Sequence, residues 1–221
     1  NPMKRVERVT RKRDKAAGEK HVGKRGFTLG EIQRILQHCD DEWRGMVLLA
    51  STSGQRMKDI SLLTEGEINL FNHTWTMSTS KTGRNMTIPL LKPFIEWYEP
   101  RATGDSSKPV FPRAHDVYQR TGRGGTLSNR FYQIMAAAGI VEPRKSHEAT
   151  KAGRETKRDS SEVSFHSFRH GFTTLLKETG ASEAVAMSIV GHESKQVSQN
   201  YTHISVMRRE ARHWSVCRKG S

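Results

Sequence analysis

Cysteine is nearly absent from this chain of 221 residues, with Cys39 and Cys217 the whole complement. Two thiols cannot build the framework of bridges that stabilises small secreted domains, and no Cys-x-x-Cys pair is present to hold zinc. A disulfide scaffold and a zinc finger are therefore excluded, and a reducing cytoplasm is the expected setting. Long apolar runs are missing as well. Nothing approaches the roughly 20 apolar residues of a membrane helix, and the start Asn1-Pro2-Met3-Lys4-Arg5 leads into no apolar signal stretch. Compact catalytic motifs are absent too. His147-Glu148 and His192-Glu193 lack the second histidine of a zinc-binding His-Glu-x-x-His helix, and no Gly-x-Ser-x-Gly elbow occurs. The run from Gly18 to Lys24 resembles a phosphate-binding loop, but Arg25 replaces the required Ser or Thr and no strand precedes it. The expectation is an activity with no metal and no cofactor.

What the chain has in excess is positive charge. It carries 37 Lys and Arg against 23 Asp and Glu, a net +14 with a pI near 10.1. A surplus of that size points to a polyanionic partner, nucleic acid first. The charge is dense in residues 1–25, which hold almost no large apolar side chains and so cannot offset their own ordering entropy; they read as a basic arm or linker. The remainder, 26–221, has the length of one domain with a core.

Order is expected from Thr28, which with Glu31 forms a capping box ahead of Leu29, Ile32, Ile35, Leu36 and Cys39 at helical spacing. A second helix carries Trp43, Met46, Val47 and Ala50 into the small-residue break Ser51-Thr52-Ser53-Gly54, and a short third follows Arg56. Thr74–Met77 and Met86–Pro89 read as a β-hairpin around Lys81-Thr82-Gly83-Arg84. Leu91, Phe94, Ile95 and Tyr98 mark a helix, as do Leu127, Phe131, Ile134, Met135 and Ala138 before Gly139. Residues 144–162 lack any apolar period and read as a polar loop insert. Phe168, Phe172, Leu175 and Leu176 restart a helix ended by Gly180, and further helices are expected over 182–190 and about 206–214.

Five motifs on this scaffold occur in a telling order: Arg56 with Asp59 three residues later, Lys81 in the hairpin turn, His166-Ser167-Phe168-Arg169-His170, Gly191-His192, and Tyr201 nine residues after His192. Residues 28–204 thereby resemble the catalytic domain of the tyrosine recombinases, the phage-type integrases and their Xer-like relatives. The resemblance implies an α+β fold, mainly α-helical, with a small antiparallel β-hairpin or sheet. It also implies site-specific recombination of double-stranded DNA through a 3′-phosphotyrosyl intermediate, without metal or ATP, by a tetramer on DNA that is monomeric when free. Carried over residue by residue, it makes Arg56, Lys81, His166, Arg169, His192 and the nucleophile Tyr201 catalytic. Arg56, Arg169 and Arg84 bind phosphate, and Asp59 and His170 support them. The family usually carries a helical core-binding domain before the catalytic one; only about 25 basic residues precede the first helix here, so the chain is expected to be a fragment lacking it.

Phosphodiester chemistry explains why these residue types belong together. Attack on a phosphodiester builds negative charge that preorganised donors must meet. Arg56 and Arg169 each offer a rigid, permanently charged fork matched to two phosphate oxygens. A phenol of pKa about 10 needs a base, for which an imidazole near 6.5 at His166 is expected to serve, and a leaving oxygen needs an acid, for which Lys81 is placed. Two other functions compete with recombination: a topoisomerase-like nicking and resealing enzyme, and a non-catalytic DNA-binding module in which Tyr201 merely packs.

Overall fold

The computed structural model describes residues 24–78, 85–144 and 161–180. Within them lie seven α-helices and one three-stranded antiparallel sheet. The expected capping box starts α1 (Leu29–Gln37): the Glu31 amide donates to Thr28 Oγ1 at 3.2 Å, and the Thr28 amide donates to the Glu31 carboxylate at 2.8 Å. Asp40 caps α2 (Asp41–Ser53) by accepting from the Trp43 amide, and Gly54 ends it in the left-handed region at φ 64°. That helix buries Trp43, Met46, Val47, Leu49 and Ala50 and is the central post of the domain. A single extended turn through Arg56 leads to α3 (Met57–Ser61).

Strands β1 (Ile68–Asn69), β2 (Thr74–Ser78) and β3 (Asn85–Pro89) pair in chain order, with Trp75 opposite Ile88 and Ser78 opposite Asn85. Strict alternation sends Trp75, Met77, Met86 and Ile88 into the core and leaves Thr76 and Thr87 outside, as the period of a half-buried sheet requires. Two-residue β1 is the strand the sequence did not announce; its register comes from pairing with β2, because a dipeptide carries no period.

In α4 (Lys92–Tyr98) the apolar face is Phe94, Ile95, Trp97 and Tyr98. Leu91, expected on that face, is instead the cap residue and stands 46% exposed. Helix α5 (Pro112–Thr121) was not anticipated at all. Only Ala114 of it is fully buried, with Val117 and Tyr118 half-buried against the core, so its apolar face is narrow and Pro112 at the start and Gly122 at the stop are its clearest signature. α6 (Gly125–Ala137) presents the expected Leu127, Phe131, Ile134 and Met135, with Gly139 beyond its end at φ 65°. α7 (His166–Glu178) runs to the expected Gly180 at φ 83°.

The core brings distant segments together through aromatic rings. Phe27, Trp43, Phe131, Phe165 and Phe168 form one cluster, with Phe27 and Phe168 centroids 4.8 Å apart and Phe131 and Phe165 5.2 Å apart. It joins the entering chain, α2, α6 and the start of α7. Phe94, Trp97, Tyr98 and Phe111 form a second cluster.

One expected boundary is corrected. Order begins before Thr28, since Phe27 is 1% exposed within the core. Arg25, assigned to the arm, forks onto Glu31 at 2.7 and 2.8 Å and lies 3.5 Å from Glu162, while Lys24 donates to the Ser161 carbonyl. Arg144, Ser161 and Glu162, at the ends of the expected polar insert 144–162, lie outside helix and strand and contact the fold. Residues 145–160 lie outside the described residues, as do the arm 1–23 and the helices expected over 182–190 and 206–214.

Among the described residues no helix is long and apolar enough to cross a membrane, and no three His, Cys, Asp or Glu are grouped to hold a metal ion.

Candidate active site

The site is assembled where the end of α2 meets α7. Gly54 occupies its position for two reasons: its φ is positive, and a Cβ there would stand 2.7 Å from the Phe172 ring on α7. The close approach lets Arg169, only 1% exposed, donate through Nη1 to the Gly54 carbonyl at 3.2 Å. A guanidinium taken out of water needs such partners, because an uncompensated buried charge is costly. Arg169 is thus fixed to the backbone two residues before Arg56.

Arg56 is the cap residue of α3, and its side chain stays 31% exposed. Its Nη1 is 3.8 Å from Oδ2 of Asp59, whose side chain is 1% exposed. The buried carboxylate therefore steers an arginine that still reaches solvent. The i, i+3 spacing on a one-turn helix makes that contact local.

His166 opens α7 and packs its ring edge-to-face on His170, with centroids 5.4 Å apart. Although part of the residue is exposed, surrounding protein mass, followed by His170, Arg169 and Arg56, pushes its pKa down to about 4. The expectation of an imidazole titrating near neutrality is corrected: burial disfavours the charged ring, and the cations gathered for an anion add to that effect. At neutral pH His166 is uncharged and one ring nitrogen is an acceptor.

Arg56, Asp59, His166, Arg169 and His170 are therefore brought to one place from two chain segments more than a hundred residues apart in sequence. Lys81, Arg84, His192 and Tyr201 lie outside the described residues; the flanking ends of β2 and β3, Ser78 and Asn85, are paired.

Beside Arg56 and His166 opens a cavity of about 440 Å³, walled by α3, α5, α6 and residues 161–166. Some of its contributors belong to no motif in the sequence. Tyr118 comes from the unannounced α5, and burial followed by Asp59 raises the pKa of its phenol. Tyr132, on α6, carries the guanidinium of Arg144 at 3.8 Å from its ring centre. The i, i+3 relation of Asn129 and Tyr132 on α6 was the available signal, but Arg144 meets them only through the tertiary fold.

Known proteins resemble this chain in sequence and in fold. The tyrosine recombinase XerD of Vibrio vulnificus (strain YJ016) is 25% identical over 177 residues, 77% of this chain and 51% of that protein. The XerD of Chlorobaculum tepidum is 35% identical over 126 residues, 56% of this chain and 36% of that one. The tyrosine recombinase XerA of Pyrococcus furiosus is 26% identical over 187 residues, 82% of this chain and 58% of that one. The chain thus spans about half the length of the curated relatives it matches. Among solved structures, a XerA recombinase superposes with a TM-score of 0.60 at 16% identity, covering 90% of this chain and 67% of that one. The catalytic domain of bacteriophage HP1 integrase gives 0.56 at 18% identity, covering 85% and 92%. At those identities the structural likeness speaks for the fold. The sequence match is broader, for residues 26–208 fit the phage integrase family from the first residues of the core through the segment that holds Tyr201, and the chain belongs to that family.

Proposed function

We propose that this chain is the catalytic part of a site-specific DNA recombinase, which cleaves and rejoins double-stranded DNA through a 3′-phosphotyrosyl bond to Tyr201. The observation that carries the reading is that Arg56 and His166 line one cavity, with the buried Arg169 tied to the backbone just before Arg56. Two guanidiniums and a neutral imidazole suit a phosphodiester: the forks bind its oxygens and the imidazole accepts a proton. Relatives in the same family point the same way, including a lambda integrase dimer bound to a COC′ core site.

In the proposed mechanism the Arg56 and Arg169 guanidiniums hold the non-bridging oxygens of the scissile phosphate, and His192 adds a donor. Asp59 and His170 act as positioning residues for Arg56 and His166. The Tyr201 hydroxyl attacks phosphorus and gives its proton to His166, while the bond to the 5′ oxygen breaks and Lys81 protonates that oxygen. Arg84 contacts a neighbouring phosphate. The bond energy is kept in the phosphotyrosyl ester, so rejoining by a 5′ hydroxyl of another strand needs no ATP and no metal. Bringing two duplexes together calls for several copies, and a lambda integrase tetramer bound to a Holliday junction is the precedent for four on DNA. The free chain is proposed to be monomeric, because its +14 charge opposes self-association until phosphates neutralise it. A cytoplasmic location follows from that substrate.

The test is trapping on a nicked suicide duplex. A covalent protein–DNA adduct that maps to Tyr201 and vanishes in Tyr201→Phe, with DNA affinity retained, is the expected result. No adduct would leave the DNA-binding module, and relaxation of supercoiled plasmid lacking any core site would leave the topoisomerase.

A further inference from the structure

The cavity beside Arg56 and His166 is larger and more apolar than a phosphate needs. Its volume of about 440 Å³ lies in the range of sites that enclose small organic groups. Phe131 and Phe165, 1% and 6% exposed, supply aromatic lining from α6 and from the residue before α7. Tyr132 is held in place because its hydroxyl donates to the Glu142 carbonyl at 2.9 Å. Cations share the lining: Lys24, Lys58 and Arg144 join Arg56, and among the described residues no carboxylate lines the cavity.

Arg144 is the informative member. Its guanidinium lies over the Tyr132 ring at 3.8 Å from the centroid, and Nη1 donates to Asn129 Oδ1 at 2.7 Å. A ring on one face and an amide at one edge hold the plane while the charge stays intact. The combination of a flat cationic platform, aromatic lining and several positive charges matches a flat heterocycle attached to phosphates.

We propose that this cavity is a nucleobase site: it holds one base of the DNA, unstacked next to the phosphate under attack, against the Tyr132–Arg144 pair, while Lys24 and Lys58 face the flanking phosphates. This inference rests on the reading of DNA as the substrate. Exchanging strands requires bases beside the broken bond to leave their partners, and stacking in the cavity offsets part of that cost. Because every base has a π-face, the site tolerates any sequence.

The test is equilibrium binding of the full 221-residue chain to a labelled oligothymidylate of about ten nucleotides, against the same backbone carrying abasic tetrahydrofuran residues. The thymidylate is expected to bind about tenfold tighter, the advantage one stacked base confers. Tyr132→Leu and Arg144→Ala are each expected to bring the ratio close to one. Tyr132→Phe, which keeps the ring, retains it, and so does Phe71→Ala, which removes an aromatic 95% exposed on the turn between β1 and β2. Thermal melting of each variant separates impaired stacking from impaired folding. A wild-type ratio near one, a ratio that survives Tyr132→Leu and Arg144→Ala, or an equal fall in Phe71→Ala overturns the proposal. The two readings fail separately: a Tyr201 adduct with a ratio near one removes the base site alone, and a preserved ratio without adduct removes the recombinase reading alone.

Discussion

Single residues in this site do two jobs at different burial, and their variants separate the jobs. Arg169 is almost fully enclosed and ties α7 to the Gly54 carbonyl, whereas Arg56 keeps a third of its side chain in solvent. Arg56→Ala is expected to slow adduct formation about 10²-fold or more while changing DNA affinity less than about tenfold, the pattern of a donor used in the transition state. Equal losses in cleavage rate and in affinity would make Arg56 an anchor only. Arg169→Ala is expected to lower the urea midpoint as well, because it removes a structural bond. His166 gives a signature in pH. Its folded pKa, about 4, lies below the ordinary 6.5. Between those values the unfolded chain binds the extra proton, so the contribution to stability is complete above about 6.5 and is lost as pH falls towards about 4. Subtracting the melting profile of His166→Gln from that of the wild type should isolate a downward slope in that window; a flat difference would contradict the buried, cation-rimmed setting of the ring.

At the scale of elements, the entering segment and α7 are locked by backbone contact. A Cβ on Gly26 would lie 2.7 Å from Gly171 Cα and 2.8 Å from Gly171 N, atoms of a helix that cannot swing aside. Gly26→Ala is therefore expected to destabilise the domain by about 1–3 kcal/mol, the usual cost of overpacking. Urea unfolding measures it, and an unchanged midpoint would mean the segment lifts off α7 freely. Because α7 carries His166 and Arg169, the same variant should slow cleavage even where the protein remains folded. Helix α5 shows how an element contributes with a narrow apolar face: it packs Ala114 and Val117 on the core and delivers Tyr118 to the cavity.

For the whole molecule the governing quantity is charge. The arm 1–23 holds eight Lys and Arg against three acids. Deleting it is expected to weaken binding to all duplexes alike and to flatten the dependence of log K on log salt, by about one for each phosphate the arm no longer neutralises. Fluorescence anisotropy at several salt concentrations gives the slope, and an unaltered slope would remove the arm from the interface. Cleavage of bound DNA by the shortened chain should persist, since Arg56, His166 and Arg169 are held by contacts within 24–180.

Much of this protein was legible before folding, for physical reasons that differ by feature. The capping box at Thr28, the stop at Gly54, the alternation through Trp75 and Ile88, and the Gly180 end of α7 are local devices, governed by steric freedom and short-range hydrogen bonds. Likewise, His166 and Arg169 share a helix face because their spacing is one turn. Tertiary structure alone decided the rest. The meeting of Arg169 with Gly54 spans 115 positions, and no period in a sequence encodes a contact between two helix ends. The low pKa of His166 arises first from burial by its surroundings and then from His170, Arg169 and Arg56, a setting that exists only in the folded chain. The strand Ile68–Asn69 exists only because β2 offers an edge, and the Arg144–Tyr132 platform closes a polar segment onto α6. Local stereochemistry can be read one window at a time, whereas burial, electrostatics and cavity shape belong to neighbours that the chain brings together only when it packs.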